Sequence, residues 1–179
     1  MKIIRFVLFA FAVTSVFSAV VTGQVTKKPV RNKTTASKSL TLPPLDVRAG
    51  RKKVSDQLDN VSRVVKLLDP IGQAIEALDA EAKTNRNISK QSLDKNTADK
   101  QKVVAAIRNI REGMVKLESE FRVKAALKKY LPMIQGISDL ARQSETSAIA
   151  GKFVAANEPL RTVQQKLSDT LAAMPNAEL

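Results

Sequence analysis

Between Asp99 and Tyr130 the chain reads DKQKVVAAIRNIREGMVKLESEFRVKAALKKY. Val103, Ile107, Ile110, Met114, Leu117 and Phe121 follow one another at intervals of four and three residues. That is the repeat of a single α-helical face, held over about five turns. Val104, Val115, Val123 and Leu127 broaden the apolar side, while Lys100, Lys102, Arg108, Arg111, Glu112, Lys116, Glu118, Glu120 and Arg122 suit a solvated one. Gly113 costs roughly 1 kcal/mol against Ala but does not end so strongly patterned a helix. A long helix with one apolar side must bury that side, so the rest of the chain is expected to supply helical partners.

The residue types that are missing narrow the chemistry further. The 179 residues include no His, no Cys and no Trp, and Tyr130 is the single tyrosine. That excludes a Ser-His-Asp triad, a thiol nucleophile and the usual zinc or copper ligand sets. Acid–base chemistry would fall to carboxylates, lysines or Tyr130. The chain is read as non-enzymatic, without a cofactor.

The formal net charge of +13 is unevenly spread. Residues 24–53 carry nine cations (Lys27, Lys28, Arg31, Lys33, Lys38, Arg48, Arg51, Lys52, Lys53) against the single anion Asp46. Residues 54–179 carry nineteen cations and sixteen anions. A nearly balanced domain is therefore expected behind a strongly basic arm.

Residues 1–23 read MKIIRFVLFAFAVTSVFSAVVTG. Lys2 and Arg5 precede an apolar run from Phe6 to Val21, and Val21 and Gly23 offer small residues for cleavage before Gln24. This predicts a secretory signal peptide and an extracellular location. Earlier cleavage after Ser18 or Ala19 is an alternative. An uncleaved anchor fits less well, because the apolar run is shorter than the ~20 residues that span a bilayer. A secreted chain without cysteine has no disulfides to lean on, so burial between helices must hold it together.

Residues 24–53 combine like charge, a Thr/Ser cluster from Thr34 to Thr41, and Pro29, Pro43 and Pro44. They are expected to form a disordered basic arm or a propeptide. Lys27, Lys28, Arg31, Lys33, Arg48, Arg51, Lys52 and Lys53 are candidates for contact with an anionic surface such as a glycosaminoglycan or lipid head groups. Nucleic acid is disfavoured, since no aromatic residue in the arm could stack on bases. Arg51 and Lys53 are candidate processing positions, alongside Gly23. Without any site, the arm is a solubilising linker.

From Val54 the helical period returns. Val54, Leu58, Val61, Val65 and Leu68 form one face, followed by Ile71, Ile75, Leu78 and Ala82, with a kink or short break expected at Asp69-Pro70. A turn is expected over 84–89, with the central helix starting between Lys90 and Thr97 and ending near Tyr130. Met133, Ile134, Ile137, Leu140 and Ala141 predict a further helix to about Ser144, with a turn over 143–147. Ile149, Phe153, Ala156, Leu160, Val163, Leu167, Leu171 and Met174 predict a last one, bent at Pro159. Asn87-Ile88-Ser89, Asn60-Val61-Ser62 and Asn32-Lys33-Thr34 are N-glycosylation sequons, of which Asn87 has the most favourable predicted setting. The acidic pairs Asp56/Asp59 and Glu118/Glu120 are read as surface ion-pair partners rather than metal ligands.

The expected fold is all-α: an antiparallel bundle of about four helices in residues 54–179, two of them kinked at Pro70 and Pro159. Coiled-coil-like spacing leaves self-association open. The expected function is macromolecular interaction through a helical face or the basic arm. The alternative is a bundle that opens to lay amphipathic helices on a lipid or other apolar surface. Narrow apolar stripes would favour the first and broad ones the second.

Overall fold

The structure is a computed structural model and describes residues 43–85 and 87–176. Those residues are all-α. Helix α1 spans Leu45–Thr84, α2 Lys90–Val123, α3 Leu131–Ile134, α4 Ile137–Ile149 and α5 Phe153–Ala173, with a 3-10 turn over Ala125–Tyr130 between α2 and α3.

The buried face of α2 is the stripe on which the sequence argument rests. Ile107, Ile110, Met114, Leu117 and Phe121 are all in the core, and Val103 packs against it. Helix α1 contributes Val54, Val61, Val65, Leu68 and Ile75, and α5 contributes Phe153, Ala156, Leu160, Val163 and Leu167. Helix α1 packs on α2 and α5, and α4 packs on the same two helices.

Polar contacts fix the register along these seams. Lys53 near the start of α1 meets Glu120 near the end of α2, whereas Asn96 near the start of α2 donates to Asp79 near the end of α1. On the α1–α5 seam, Gln164 donates to Ser62 Oγ at 3.0 Å and Asn157 donates to the Val65 carbonyl at 3.2 Å. On the α4 side, Ser144 donates to the Ala156 carbonyl at 2.7 Å. The buried carboxylate of Glu145 receives Arg108 at 2.8 Å and Arg111 at 3.0 Å.

Three expectations about element boundaries are corrected. Residues 45–53, assigned above to the arm, form the first turns of α1. Val47 and Gly50 continue the face of Val54 and Val61 and are buried with it. The Gly50 Cα side lies against Leu127, where a Cβ would stand 2.8 Å from a Leu127 methyl. Pro44 occupies the N-cap and Asp46 the first turn, where its charge suits the positive end of the helix dipole.

The prolines do not interrupt their helices. Both α1 and α5 run on through Pro70 and Pro159. Each proline removes one rung of the hydrogen-bond ladder, but the buried stripe keeps its phase on both sides, so packing holds the helix together.

Helix α2 stops at Val123 rather than near Tyr130. Lys124 is extended, and the following turn is 3-10. Its three-residue period places Leu127 and Tyr130 on one side, and both are buried. Finally, the helix expected from Met133 to Ser144 is broken at Gly136, whose φ of 86° is left-handed. Its second part, α4, continues to Ile149, past the turn expected at residues 143–147. Buried Ser144 and Ala148 carry it onward, and Gly151 with φ 76° makes the turn instead.

The described residues between α1 and α2 are 85 and 87–89, within the expected stretch. Ser89 caps α2 by accepting the Ser92 N–H at 3.1 Å.

Candidate anionic-surface site

The first turns of α1, the last turn of α2 and the 3-10 turn meet at one end of the described residues. The meeting is built by apolar anchors, since Val47, Leu127 and Tyr130 are all buried there. These anchors carry their charged neighbours to the same surface. Arg48, Arg51, Lys52, Lys53, Arg122, Lys124, Lys128 and Lys129 share this end with the carboxylates Asp46, Asp56, Glu118 and Glu120, an excess of four positive charges.

Most of these cations already have partners. Lys53 meets Glu120 at 2.5 Å, and Lys124 meets Glu120 at 2.7 Å and Asp46 at 3.2 Å. Burial pushes the Glu120 carboxyl up, but hydrogen bonds and charge from Lys124 and Lys53 outweigh it and hold the group below its ordinary value. Hydrogen bonds to Glu120 and Asp46 push the Lys124 ammonium up. Lys52 lies beside Asp56 at 2.9 Å with a largely exposed side chain. Arg122 pairs with Glu118 at 3.0 Å.

Arg51 is occupied differently. Its guanidinium donates to the Leu171 carbonyl, to the Met174 carbonyl at 2.8 Å and to Asn176 Oδ1 at 2.6 Å. The first two acceptors are carbonyls that the end of α5 leaves without helical partners. Arg51 therefore clamps α5 to α1. Its replacement by Ala should lower the unfolding free energy by about 1–3 kcal/mol, as loss of a charged hydrogen-bond donor generally does. Urea unfolding would measure this, and an unchanged midpoint would remove the clamp.

Lys128 and Lys129 stand apart from these pairs. Both are exposed and, among the described residues, neither forms an ion pair. The Lys129 ammonium lies 4.8 Å from the centroid of the Tyr130 ring, within cation–π range. Beside them is a shallow cleft of about 470 Å³ lined by Pro43, Pro44, Ala125, Ala126 and Lys129. The sequence reading carries α2 on to near Tyr130 and singles out neither lysine. The signal that could have marked them was the pair itself, four and three residues before Pro132, where a continuing helix is disfavoured.

The other candidates fall in several places. Arg48, Arg51, Lys52 and Lys53 share this end, with the Arg48 Nε buried and without a hydrogen-bond partner among the described residues. Lys27, Lys28, Arg31, Lys33, Asn32 and Gly23 lie outside the described residues. The processing candidates Arg51 and Lys53 lie within α1. Asn87 is exposed in the α1–α2 turn, and Asn60 is exposed midway along α1. Glu118 and Glu120 turn to different helices, and no group of three acidic side chains able to hold a metal forms among the described residues.

Of the valines that broaden α2, Val115 and Val123 are exposed. A separate apolar groove lies between α1 and α2, where exposed Leu67 and Ile71 meet Val64, Val103 and Ala106. No described helix is long and apolar enough to cross a membrane. Comparison with family models, with curated proteins and with solved structures finds no match to this chain.

Proposed function

We propose that this is a secreted, non-enzymatic protein that binds an extended polyanion, such as a glycosaminoglycan, through its basic end. The architecture behind the proposal is an up-down-up-down bundle of α1, α2, α4 and α5. The contacts of Lys53 with Glu120, of Asn96 with Asp79, and of Ser62 with Gln164 support that order. The observation that carries the function is the adjacent, exposed pair Lys128 and Lys129, free of ion pairs among the described residues at the end where α1 begins. Cations already matched to carboxylates gain little from a new anionic partner, whereas these two keep their full charge available.

The basic stretch before α1 adds Lys27, Lys28, Arg31 and Lys33 to the same chain terminus in sequence. We read Arg48–Lys53 as part of the mature protein, because a protease would have to unwind the first turns of α1 to reach Arg51 or Lys53. That helix is held by Arg51 itself.

Charge reversal at Lys128→Glu and Lys129→Glu together tests the proposal. At about 1 kcal/mol per cation near an anionic surface, the double variant should bind immobilised heparin at least about tenfold more weakly and elute at lower salt. Retained affinity in that variant, with affinity lost on deletion of residues 24–42, would give the binding to the arm alone.

The groove at Leu67 and Ile71 supports a second reading, in which the bundle engages an apolar surface. Binding to neutral phosphatidylcholine vesicles, abolished by Leu67→Glu, would favour it. The isolated exposure of Val115 and Val123 supports the closed bundle instead.

A further inference from the structure

We infer that Asn87 carries an N-linked glycan at the α1–α2 turn and that Asn60 does not, an inference that rests on the secretory reading above. Both asparagines begin a sequon and both are exposed. Their backbones separate them. Acceptor asparagines belong to surface loops, where the modifying enzyme can seat the chain away from helix. Asn87 sits in such a turn. Its N–H donates to the Asn85 side chain at 2.9 Å, and among the described residues its own amide holds no other residue in place. The sequon hydroxyl, Ser89 Oγ, is exposed and engaged only locally, accepting the Ser92 N–H at 3.1 Å and lying 2.8 Å from Ser92 Oγ, with no contact to another helix among the described residues.

Asn60 lies in the interior of α1, which runs unbroken from Leu45 to Thr84. Its sequon is built into the packing. Val61 is fully buried, and Ser62 Oγ already accepts the Gln164 amide of α5 at 3.0 Å. The basic end is the opposite end of α1, about 50 Å from Asn87 at 1.5 Å per helical residue. A glycan at the turn therefore leaves Lys128 and Lys129 uncovered.

The donor is a lipid pyrophosphate-linked oligosaccharide used by the secretory transferase. Asn87 Nδ2 forms a bond to the anomeric carbon. The bond from that carbon to the pyrophosphate oxygen breaks, the lipid pyrophosphate leaves with the electron pair, and Nδ2 gives up one proton.

The test is the intact mass of the full chain expressed with its own leader in a eukaryotic secretory host, before and after peptide-N-glycosidase treatment. Peptide mapping should find the Asn-to-Asp conversion at position 87 and none at position 60. Asn87→Gln should remove one glycan from the mass of the secreted protein, and Asn60→Gln should leave the mass increment intact. Neither variant disturbs the Ser89 cap of α2. A secreted chain without enzyme-sensitive mass would overturn the inference while leaving secretion standing. A mass increment in Asn87→Gln equal to that of wild type, or one reduced in Asn60→Gln, would overturn it equally; a glycan on the Asn32 sequon would add the same mass to every variant and be located by the peptide map. A chain retained in the cytosol would overturn it together with the secretory reading.

Discussion

Replacing Phe121 by Ala is expected to lower the unfolding free energy by about 3–5 kcal/mol, a large fraction of what holds an ordinary domain together. Phe121 has no exposed surface and heads the largest fully buried side chains. It is the last core residue of α2 before the helix gives way at Lys124, so no later turn of α2 can move in to fill its place. The cavity would open beside the site where the 3-10 turn buries Leu127 and Tyr130. Phe121→Leu keeps most of the volume and should cost less than about 1.5 kcal/mol. Val123→Ala, two residues on at 76% exposure, should stay within about 0.5 kcal/mol of wild type. Guanidinium unfolding of the three variants at constant protein concentration would measure this order. A Phe121→Ala cost near that of Val123→Ala would mean that α2 is not sealed by its own stripe.

The positions that sequence made legible are those where apolar period and burial coincide. Ile107, Ile110, Met114, Leu117 and Phe121 are buried as their spacing requires, and so are Val54, Val61 and Val65. The misplaced boundaries have local causes. The start of α1 was hidden because charge density at Arg48–Lys53 reads as arm. The residue that completes the inner face there is Gly50, which carries no apolar side chain to register. The sequence places the end of α2 too late because Pro132 is its first stop signal, and Leu127 and Tyr130 before it are apolar and in approximate helical phase. A 3-10 turn buries the same pair with a different period. Gly136 gave no signal as a break because its left-handed backbone is a matter of conformation, not of hydropathy.

The candidate site was legible in its charge and not in its pairing. The sequence shows which residues are cationic. It does not show that Glu120, sixty-seven residues along the chain from Lys53, neutralises that lysine, or that Arg51 is spent on the last carbonyls of α5. Long-range pairing of this kind depends on which helix faces which, and that follows from the core. Lys128 and Lys129 emerge as the exposed, available charges only after Lys52, Lys53, Arg122, Lys124 and Arg51 have been assigned their partners; Arg48, also without an ion pair among the described residues, is partly buried.

Removing the Glu118 side chain is the second large effect expected, at about 2–4 kcal/mol for Glu118→Ala. Glu118 belongs to α2 but caps α4. Its carboxylate accepts the Gly136 N–H at 3.3 Å, the Ser138 N–H at 3.3 Å and the Ser138 hydroxyl at 2.8 Å, and it pairs with Arg122. It therefore supplies the cap that Gly136, lacking a side chain, cannot give, and places negative charge at the positive end of the α4 dipole. Arg122 is exposed enough to return to water when the carboxylate is lost, but the N–H groups at the start of α4 are not so easily served. Burial pushes the Glu118 carboxyl up, while the Ser138 hydroxyl, the Gly136 and Ser138 N–H groups and Arg122 together hold it below its ordinary value of 4.5. A carboxyl lower in the folded state than in the unfolded one stabilises the fold above the unfolded value. That contribution fades as pH falls through the folded value. Stability should therefore decline on acidification below about pH 4.5, with Glu120 adding a decline of the same sign. Glu118→Gln keeps one acceptor oxygen and loses the charge, so it should cost less than Glu118→Ala and flatten the acid slope. Urea midpoints measured between about pH 7 and about pH 3 would separate the two contributions. Equal acid slopes in wild type and Glu118→Gln would assign the decline to other carboxylates and leave Glu118 with its capping role alone.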